Sequence, residues 1–509
     1  MKHYLLGISL SLLCISCGKN NTTQPEEDSP ATAGIFPVPP AEWMQGITDP
    51  YYAGGYVGDP MPFYENGTFH VFFLHDARDG ATGFHPWDKF TTSDLLSYAY
   101  AGRMIPYGTS SDQDVALGTG SVIKVGNVYY GYYTGHNGGF PAIGKPQEAI
   151  MYATSTDLQH WTKKEGFYLY APTGYSANDF RDPQVMYNEE EQKYYMLVSA
   201  QKDGQPVVAT FTSQDPSTDE WTLEDPFFVS DNDDYWMLEC PDVFKMGSKW
   251  YLTFSEDYVS HTTHYRVADD FHGPYQLPAS GNEVLNGSYA YAGKTASDGT
   301  HRYMFAWTGT KSGSSDAGTK EWAGNLVTTQ LVQNSDGSLG VHIPDQFAQL
   351  IKNDKELAAS LTTGTVSVAS NNYTLNATSD TAMAVFGNVQ GSVLLSASVT
   401  LQSTGGVSGF VLNAKGTTPY YLVFDPANNE IRAQQGLEAT SVVDARVPFT
   451  FGENAAFDVQ LVIDGTVVAA YVDNTVALMA RVYSVTNKPW GLFAAGSKVQ
   501  YGSLNYKVN

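Results

Sequence analysis

The chain has 509 residues, of which 13% are aromatic and only 16% charged. This composition favours strands and turns over long salt-bridged helices, so we expect an all-β protein of two or three domains. The net charge of −25 argues against nucleic acid as a partner, because an acidic surface repels phosphate backbones, and it is compatible with neutral carbohydrate.

Residues 1–16 have a basic start and an apolar run that is too short to span a bilayer but has the length of a secretory signal peptide. Cys17 follows in a small-residue context similar to the processing site of bacterial lipoproteins. This pattern predicts an exported protein of the cell envelope, held at the membrane only by lipid on Cys17; an ordinary signal peptide with an incidental cysteine is the alternative. Residues 17–40 are rich in Asn, Thr, Pro and Glu, which predicts a lipid-anchored flexible tether.

Residues 41–345 repeat one pattern at intervals of roughly 40–60 residues: an apolar strand, a turn, a strand rich in Tyr and Phe, and a polar strand. The aromatic strands of five such units start near Phe69, Val128, Tyr194, Trp250 and Arg302. Five radially repeated sheets predict a five-bladed β-propeller. A sandwich of hairpins is the alternative, although it would require no regular period.

The chain changes character after the repeats. Residues 346–361 are predicted to be a short linker helix. Residues 362–509 are rich in Thr, Ser and Val with alternating short strands, which predicts a C-terminal β-sandwich with a packing role.

Three of the repeats begin with an acidic residue directly before Pro or Cys-Pro, in Gly58-Asp59-Pro60, Arg181-Asp182-Pro183 and Glu239-Cys240-Pro241. Each alone could be a strand-entry turn. Equivalent positions of a propeller converge on its axis, so the three carboxylates are expected around one funnel, as glycoside cleavage requires. The sequence contains no cluster with metal-ligand spacing, and we expect neither a metal nor another cofactor.

The segments Phe180-Arg181-Asp182-Pro183 and Glu239-Cys240-Pro241-Asp242 resemble two motifs of glycoside hydrolase family 32, which contains invertases, inulinases and levanases. Weaker similarity occurs at 118–121, 132–136 and 322–325. The resemblance implies a retaining enzyme that cleaves fructofuranosyl linkages of an oligo- or polysaccharide. Asp59 would be the nucleophile and Glu239 the acid and base, while Asp182 would stabilise the transition state and Arg181 would balance charge.

The chain departs from this family around the proposed nucleophile. The family usually has Trp-Met-Asn-Asp-Pro-Asn-Gly there, whereas residues 56–62 read Tyr-Val-Gly-Asp-Pro-Met-Pro, so two sugar-contacting Asn side chains are absent. A common Gln is also replaced, by Leu74. Further candidates for substrate binding are the polar residues His75, Asp76 and Ser121 and two possible stacking platforms, Trp87 and Trp307.

Two other functions remain open at this stage. An inverting arabinan or xylan hydrolase of the family 43 type also uses two Asp and one Glu, although Arg181 and Cys240 argue against it. A non-catalytic glycan-binding lipoprotein could keep the same fold, but loss of a catalytic carboxylate would then be expected.

Overall fold

The computed structural model describes residues 31–40, 55–77, 85–232, 234–256, 260–438, 440–452 and 454–509. These ranges are almost entirely β-structure, as predicted, with a single α-helical turn, α1 (Phe347–Leu350). Short 3-10 turns lie at Pro141–Ile143, Pro216–Thr218, Ser312–Ser314 and Tyr483–Val485. The predicted signal peptide and Cys17 lie outside the described residues. Within these ranges, no helix has the length and apolar character needed to cross a membrane.

Residues 56–342 form five consecutive antiparallel meanders. The first consists of β2 (Tyr56–Glu65), β3 (Thr68–Asp76), β4 (Trp87–Thr92) and β5 (Ser97–Ile105), with β1 (Ala31–Ala33) paired to β5. The second consists of β6 (Ala116–Val125), β7 (Val128–His136), β8 (Glu148–Ser155) and β9 (Thr162–Lys163). The third consists of β10 (Tyr175–Asn188), β11 (Lys193–Lys202), β12 (Gln205–Ser213), β13 (Thr222–Leu223) and β14 (Phe228–Val229).

The last two meanders close the circle. The fourth consists of β15 (Glu239–Met246), β16 (Lys249–Ser255) and β17 (Thr263–Ala268). The fifth consists of β18 (Tyr291–Ser297), β19 (Arg302–Lys311), β20 (Lys320–Gln333) and β21 (Leu339–His342). The first strand of each meander contacts the first strand of the next, and β18 contacts β2, which makes a closed ring. Such a ring is the arrangement of a β-propeller.

The aromatic second strands supply much of the propeller core. All five predicted ones are found, as β3, β7, β11, β16 and β19. Tyr132, Tyr251 and Tyr303 on these strands are fully buried. Large flat side chains on a twisted strand fill the space between adjacent meanders, because they bury much area at little entropic cost.

The C-terminal domain is a sandwich of two antiparallel sheets. The eight-stranded sheet consists of β22 (Asn353–Asp354), β24 (Thr365–Ala369), β25 (Asn372–Asn376), β27 (Val393–Leu401), β32 (Ala456–Asp464), β33 (Val467–Val472), β34 (Val476–Arg481) and β36 (Lys498–Val508). The seven-stranded sheet consists of β23 (Leu361–Thr363), β26 (Thr381–Asn388), β28 (Val407–Leu412), β29 (Tyr420–Asp425), β30 (Glu430–Gln435), β31 (Val443–Pro448) and β35 (Pro489–Ala495). The predicted order, a propeller followed by a β-sandwich, is confirmed.

The predicted linker helix at 346–361 is wrong beyond its first turn. After α1, Asn353 pairs with Val508 of β36, and Leu361 pairs with Val385 of β26. The segment is rich in helix formers such as Ala, Leu, Gln and Lys, but pairing with strands of both sheets overrides this local preference. The sandwich therefore begins before residue 362.

The predicted tether at 17–40 extends too far, because residues 31–40 pack against the folded domains. Ile35 is fully buried, and its N–H donates to Asp464 of the sandwich at 3.0 Å. Phe36 is also buried, and its carbonyl oxygen accepts a hydrogen bond from the Asn325 side chain at 2.6 Å. Ile35 and Phe36 are the first large apolar side chains after the polar stretch 18–30, and their burial favours this docking.

Polar contacts join the sandwich to the fifth meander. Arg481 donates from Nη2 to the carbonyl oxygen of Thr308 at 2.8 Å and from Nε to that of Gly309 at 3.0 Å. The buried Lys311 pairs with Asp444 of the sandwich at 2.5 Å. The sandwich thus fixes the end of β19, the strand that carries Trp307.

Candidate active site

The first strand of each of the five meanders contains a β-bulge, where its pairing with the second strand shifts in register. The pairing register shifts between 58 and 61, 117 and 120, 181 and 184, 239 and 242, and 291 and 294. Four residues in these bulges, Asp59, Asp182, Cys240 and Ala292, have positive φ values of 32°, 60°, 53° and 54°. Bulges redirect side chains, and strained non-glycine backbone of this kind concentrates at functional sites.

The positions of the bulges show that the three acidic residues are not all equivalent in the repeat, so that part of the prediction is wrong. Asp59 and Asp182 occupy equivalent positions, but the residue equivalent to them in the fourth meander is Cys240. Glu239 lies one position earlier and is equivalent to Arg181 and to Tyr291. Two successive positions of the repeat therefore supply the site.

The Asp59 carboxylate is held at both oxygens. The Thr119 hydroxyl donates to Oδ2 at 2.6 Å, and the Trp307 indole N–H donates to Oδ1 at 2.8 Å. Burial raises the pKa of Asp59, the two hydrogen bonds oppose that rise, and the Glu239 charge adds to it. These donors orient Asp59 and leave further lone pairs on its oxygens.

Asp182 is 4% exposed and lies among the other charged groups of the site. Its Oδ2 accepts the Cys240 N–H at 3.0 Å, and its own N–H donates to Thr134 at 2.8 Å. The pKa of Asp182 is raised to about 7, chiefly by burial and then by the Glu239 charge, while Arg181 opposes the rise. Close carboxylates raise one another's pKa in this way, because like charges disfavour ionisation.

Glu239 is fixed by two neighbours from different meanders. Arg181 donates to Oε1 from Nε at 3.1 Å and from Nη2 at 3.0 Å, and the Tyr291 hydroxyl donates to Oε2 at 2.5 Å. The Tyr291 ring also contacts that of Trp307, with centroids 5.7 Å apart. A chain of contacts therefore runs from Glu239 through Tyr291 and Trp307 to Asp59.

Two further carboxylates, those of Glu148 and Asp179, hold the guanidinium of Arg181. Its Nη1 lies 3.5 Å from Glu148 Oε2 and 3.5 Å from Asp179 Oδ1. Glu148 is buried and also accepts the Phe180 N–H at 2.8 Å. Despite burial, the surrounding carboxylates hold the pKa of Arg181 well above its usual range, so the guanidinium stays charged.

The structure brings together Asp59, Asp182, Glu239 and Arg181, and it places Trp307 beside them as a donor to the carboxylate. Trp307 is 1% exposed and so does not offer an open stacking face.

The remaining predicted substrate-binding residues have other surroundings. Trp87 is fully buried, and its indole N–H donates to Gly118, so it is a core residue and its prediction as a platform is wrong. His75 is 1% exposed and pairs with Asp88 at 2.7 Å inside the first meander.

Two further candidates, Ser121 and Asp76, lie on strands of the first two meanders. Ser121 accepts the Val185 N–H at 2.8 Å and thereby joins the second and third meanders. Asp76 ends β3 opposite Tyr56 and is partly exposed.

Sequence reasoning missed Thr119, Tyr291 and Glu148. Thr119 and Tyr291 could have been found by aligning the first strands of all five repeats, since Thr119 lies in the bulge of its strand and Tyr291 directly precedes the bulge of its own. Glu148 had no such signal, because it starts the third strand of its meander. Among the described residues, no group of three or more His, Cys, Asp or Glu side chains is arranged to hold a metal ion.

Residues 53–340 match the family model for the glycosyl hydrolases family 32 N-terminal domain. The chain is 28% identical over 319 residues to sucrose-6-phosphate hydrolase of Escherichia coli, covering 59% of this chain and 62% of that protein. It is 27% identical over 357 residues to raffinose invertase of Escherichia coli, covering 67% of this chain and 68% of the relative. The matched part is thus under two thirds of the length of the first of these relatives.

Solved structures share the whole architecture. Exo-inulinase from Aspergillus awamori has a TM-score of 0.69 at 17% identity and covers 91% of this chain and 99% of its own. Fructan 1-exohydrolase IIa from Cichorium intybus has a TM-score of 0.69 at 14% identity and covers 94% and 98%. At such identities the likeness establishes the fold, while the family-model match covers more than half of the sequence. The chain belongs to glycosyl hydrolase family 32.

Proposed function

We propose that this protein hydrolyses fructofuranosyl linkages of oligo- or polysaccharides with retention of configuration. The observation that carries the proposal is the grouping of Asp59, Asp182 and Glu239, each held by directed hydrogen bonds and coupled through their charges. Family membership and the names of the relatives, which include invertase and exo-inulinase, support the fructoside as substrate.

In the proposed reaction, an Asp59 oxygen attacks the anomeric carbon of the fructosyl unit while the bond to the leaving oxygen breaks. Glu239 transfers its proton to that oxygen, which leaves as an alcohol. The carboxylate of Glu239 then takes a proton from water, and the resulting hydroxide displaces Asp59 from the fructosyl-enzyme. Free fructose is released, and both carboxyl groups return to their starting protonation states.

Asp182 and Arg181 adjust the charge of the site during this sequence. The transition state resembles an oxocarbenium ion, so an ionised Asp182 stabilises it and accepts hydrogen bonds from the sugar hydroxyls. Arg181 keeps Glu239 oriented through two N–H donors on one carboxylate oxygen. These interactions act mainly in the transition state, where they increase kcat.

The test is a sugar panel of sucrose, inulin, levan, arabinan and xylan, with release of free monosaccharide as the readout. We expect fructose from at least one of the first three substrates. Asp59→Ala and Glu239→Ala should each lower kcat by several orders of magnitude with an unchanged circular dichroism spectrum. Near wild-type turnover in either variant would contradict the assignment.

Stereochemistry separates this proposal from the family 43 type alternative. NMR of the first-formed anomer should show retention, because a nucleophilic Asp59 requires two inversions. Initial release of the inverted sugar would instead make Asp59 a general base. Release of monosaccharide only from arabinan or xylan, and from none of the fructosides, would also support the family 43 type alternative.

We also propose that the mature protein is a lipoprotein of the cell envelope, anchored through Cys17. The motivation is the apolar run of residues 1–16 followed by a small-residue context at Cys17. Labelled fatty acid should enter the wild-type chain, and Cys17→Ser should move the protein to the soluble fraction. A Cys17→Ser protein that still fractionates with membranes would contradict this anchor.

A further inference from the structure

Arg481, the last residue of β34 in the sandwich, is a buried cation with a residue exposure of 3%. Its hydrogen-bond acceptors are neutral groups: the carbonyl oxygens of Thr308 and Gly309, the side-chain oxygen of Asn325 at 2.7 Å and the Thr466 hydroxyl at 2.9 Å. Within the described ranges no carboxylate forms an ion pair with Arg481, and burial lowers its pKa. An ion buried in this way is a weak source of net stability, but its planar fork of donors fixes several acceptors at once.

The acceptors of Arg481 lie on the two strands beside the nucleophile. Thr308 directly follows Trp307 on β19, and Asn325 of β20 is the residue paired with Thr308. The Trp307 indole N–H donates to Oδ1 of Asp59 at 2.8 Å. The guanidinium therefore holds the backbone from which this indole projects.

The ring of meanders closes at the same place. β2 pairs with β20 through Val57 and Gly324, and Val57 lies two residues before Asp59. A Cβ atom built on Gly324 would lie 1.9 Å from the carbonyl oxygen of Thr308, which is the oxygen that Arg481 binds. Such close packing leaves little room for movement between the bound carbonyl and the strand that carries the nucleophile.

We propose that Arg481 is a positioning residue, whose fork of donors holds the backbone of β19 so that the Trp307 N–H stays on the Asp59 carboxylate. This inference rests on the proposed function and gives the C-terminal sandwich a part in orienting the nucleophile. Arg481 is buried between the domains and acts through β19 and β20. The expected effect is large, because a misplacement of about 1 Å in an active site can cost about 100-fold in rate.

The test compares Arg481→Met and Arg481→Lys with a matched control, Arg432→Met. Arg432 is another arginine of the sandwich, and its partners Asp425, Glu430 and Gln434 all belong to that domain. Circular dichroism first establishes that each chain is folded. Hydrolysis of sucrose then gives kcat, KM and the pH profile of kcat/KM for each variant, alone and combined with Trp307→Phe.

A second readout does not depend on activity. In protein labelled with ¹⁵N-tryptophan, the indole N–H signal of Trp307 is identified by its loss in Trp307→Phe. We expect this signal to shift in Arg481→Met and to exchange with solvent at least about tenfold faster, because its hydrogen bond opens more often. The signal should be unchanged in Arg432→Met.

We expect Arg481→Met to lower kcat by about 10- to 100-fold and to change KM by less than about threefold, whereas Arg432→Met retains wild-type kinetics. The acid limb of kcat/KM should move to higher pH, since the Trp307 N–H lowers the pKa of Asp59. Arg481→Lys keeps the charge without the planar fork and should lose most of the activity as well. In the Trp307→Phe background, Arg481→Met should lower kcat by less than about twofold, because both residues act on the same hydrogen bond.

Multiplicative losses of kcat in the double variant would overturn the inference, because Arg481 would then act independently of the indole. Wild-type kcat in Arg481→Lys would overturn it too, as would equal losses in Arg481→Met and Arg432→Met. If Arg481→Met does not fold, Arg481→Lys supplies both readouts.

Failure of the proposed function gives a different result. If the wild-type chain hydrolyses no fructoside but the Trp307 signal still loses protection selectively in Arg481→Met, the positioning contact stands and the reaction is refuted. If the wild-type chain is active and the Trp307 signal is unchanged in Arg481→Met, the positioning role alone is overturned.

Discussion

The raised pKa of Asp182 predicts that the site lowers the stability of the protein above neutral pH. In the unfolded chain this carboxyl ionises near its ordinary pKa of 3.8, but in the folded protein its pKa is about 7. The folded state therefore binds more protons between these values, and the free energy of unfolding falls as pH rises from about 4 to 7. The rise of the pKa from 3.8 to about 7 corresponds to a loss of about 4 kcal/mol at most in the free energy of unfolding. This destabilisation is fully present above pH 7 and absent below pH 4.

Asp182→Asn removes this charge and can still accept the Cys240 N–H through its amide oxygen. We expect the variant to be more stable than wild type at pH 8 by up to about 4 kcal/mol, to show little difference at pH 4, and to lose most activity. Urea denaturation at unit steps from pH 4 to 8 measures the effect.

Asp88→Asn is the control for this experiment. Asp88 is also fully buried, but His75 and Arg103 outweigh the effect of burial and lower its pKa. Its variant should therefore be destabilised, with a loss that grows as pH rises towards the ordinary pKa of 3.8 and then stays nearly constant up to pH 8. A stability gain for Asp182→Asn that is the same at pH 4 and pH 8, or no gain at pH 8, would refute the reasoning.

Three further variants test the support of the site. Trp307→Phe removes an N–H that lowers the pKa of Asp59, so the acid limb of the kcat/KM profile should move to higher pH; an unmoved limb would contradict this. Glu148→Gln should lower kcat by about 10- to 100-fold with little change in KM, because Arg181 loses the carboxylate that holds its Nη1. Steady-state kinetics measure both constants, and a rise in KM as large as the fall in kcat would contradict this prediction. Lys311→Met leaves the sandwich carboxylate unpaired and should reduce the free energy of unfolding by about 3–5 kcal/mol in urea titrations, whereas a neutral effect would show that this ion pair does not stabilise the domain contact.

Local pattern was sufficient for the large features of the fold. The five aromatic strands were predicted from sequence because strand residues alternate between faces and the turns before them have distinctive residues. The helix predicted at 346–361 does not continue beyond α1, because the pairing of Asn353 and Leu361 with distant strands decided the conformation of this segment. Likewise, nothing near Ile35 and Phe36 in sequence indicates that Asp464 and Asn325 lie beside them.

The sequence by itself predicted which carboxylates lie together, because Asp59 and Asp182 directly precede a proline at equivalent points of the repeat and Glu239 lies one position earlier, before Cys240-Pro241. Only the tertiary structure decided what surrounds them. Hydrogen bonds from Trp307 and Tyr291 join residues 248 and 52 positions apart, and no local spacing encodes such contacts. Burial and the summed charge of neighbours set the pKa of Asp182, and both arise only when the ring of strands closes, since electrostatic effects depend on distance through space and on the exclusion of water.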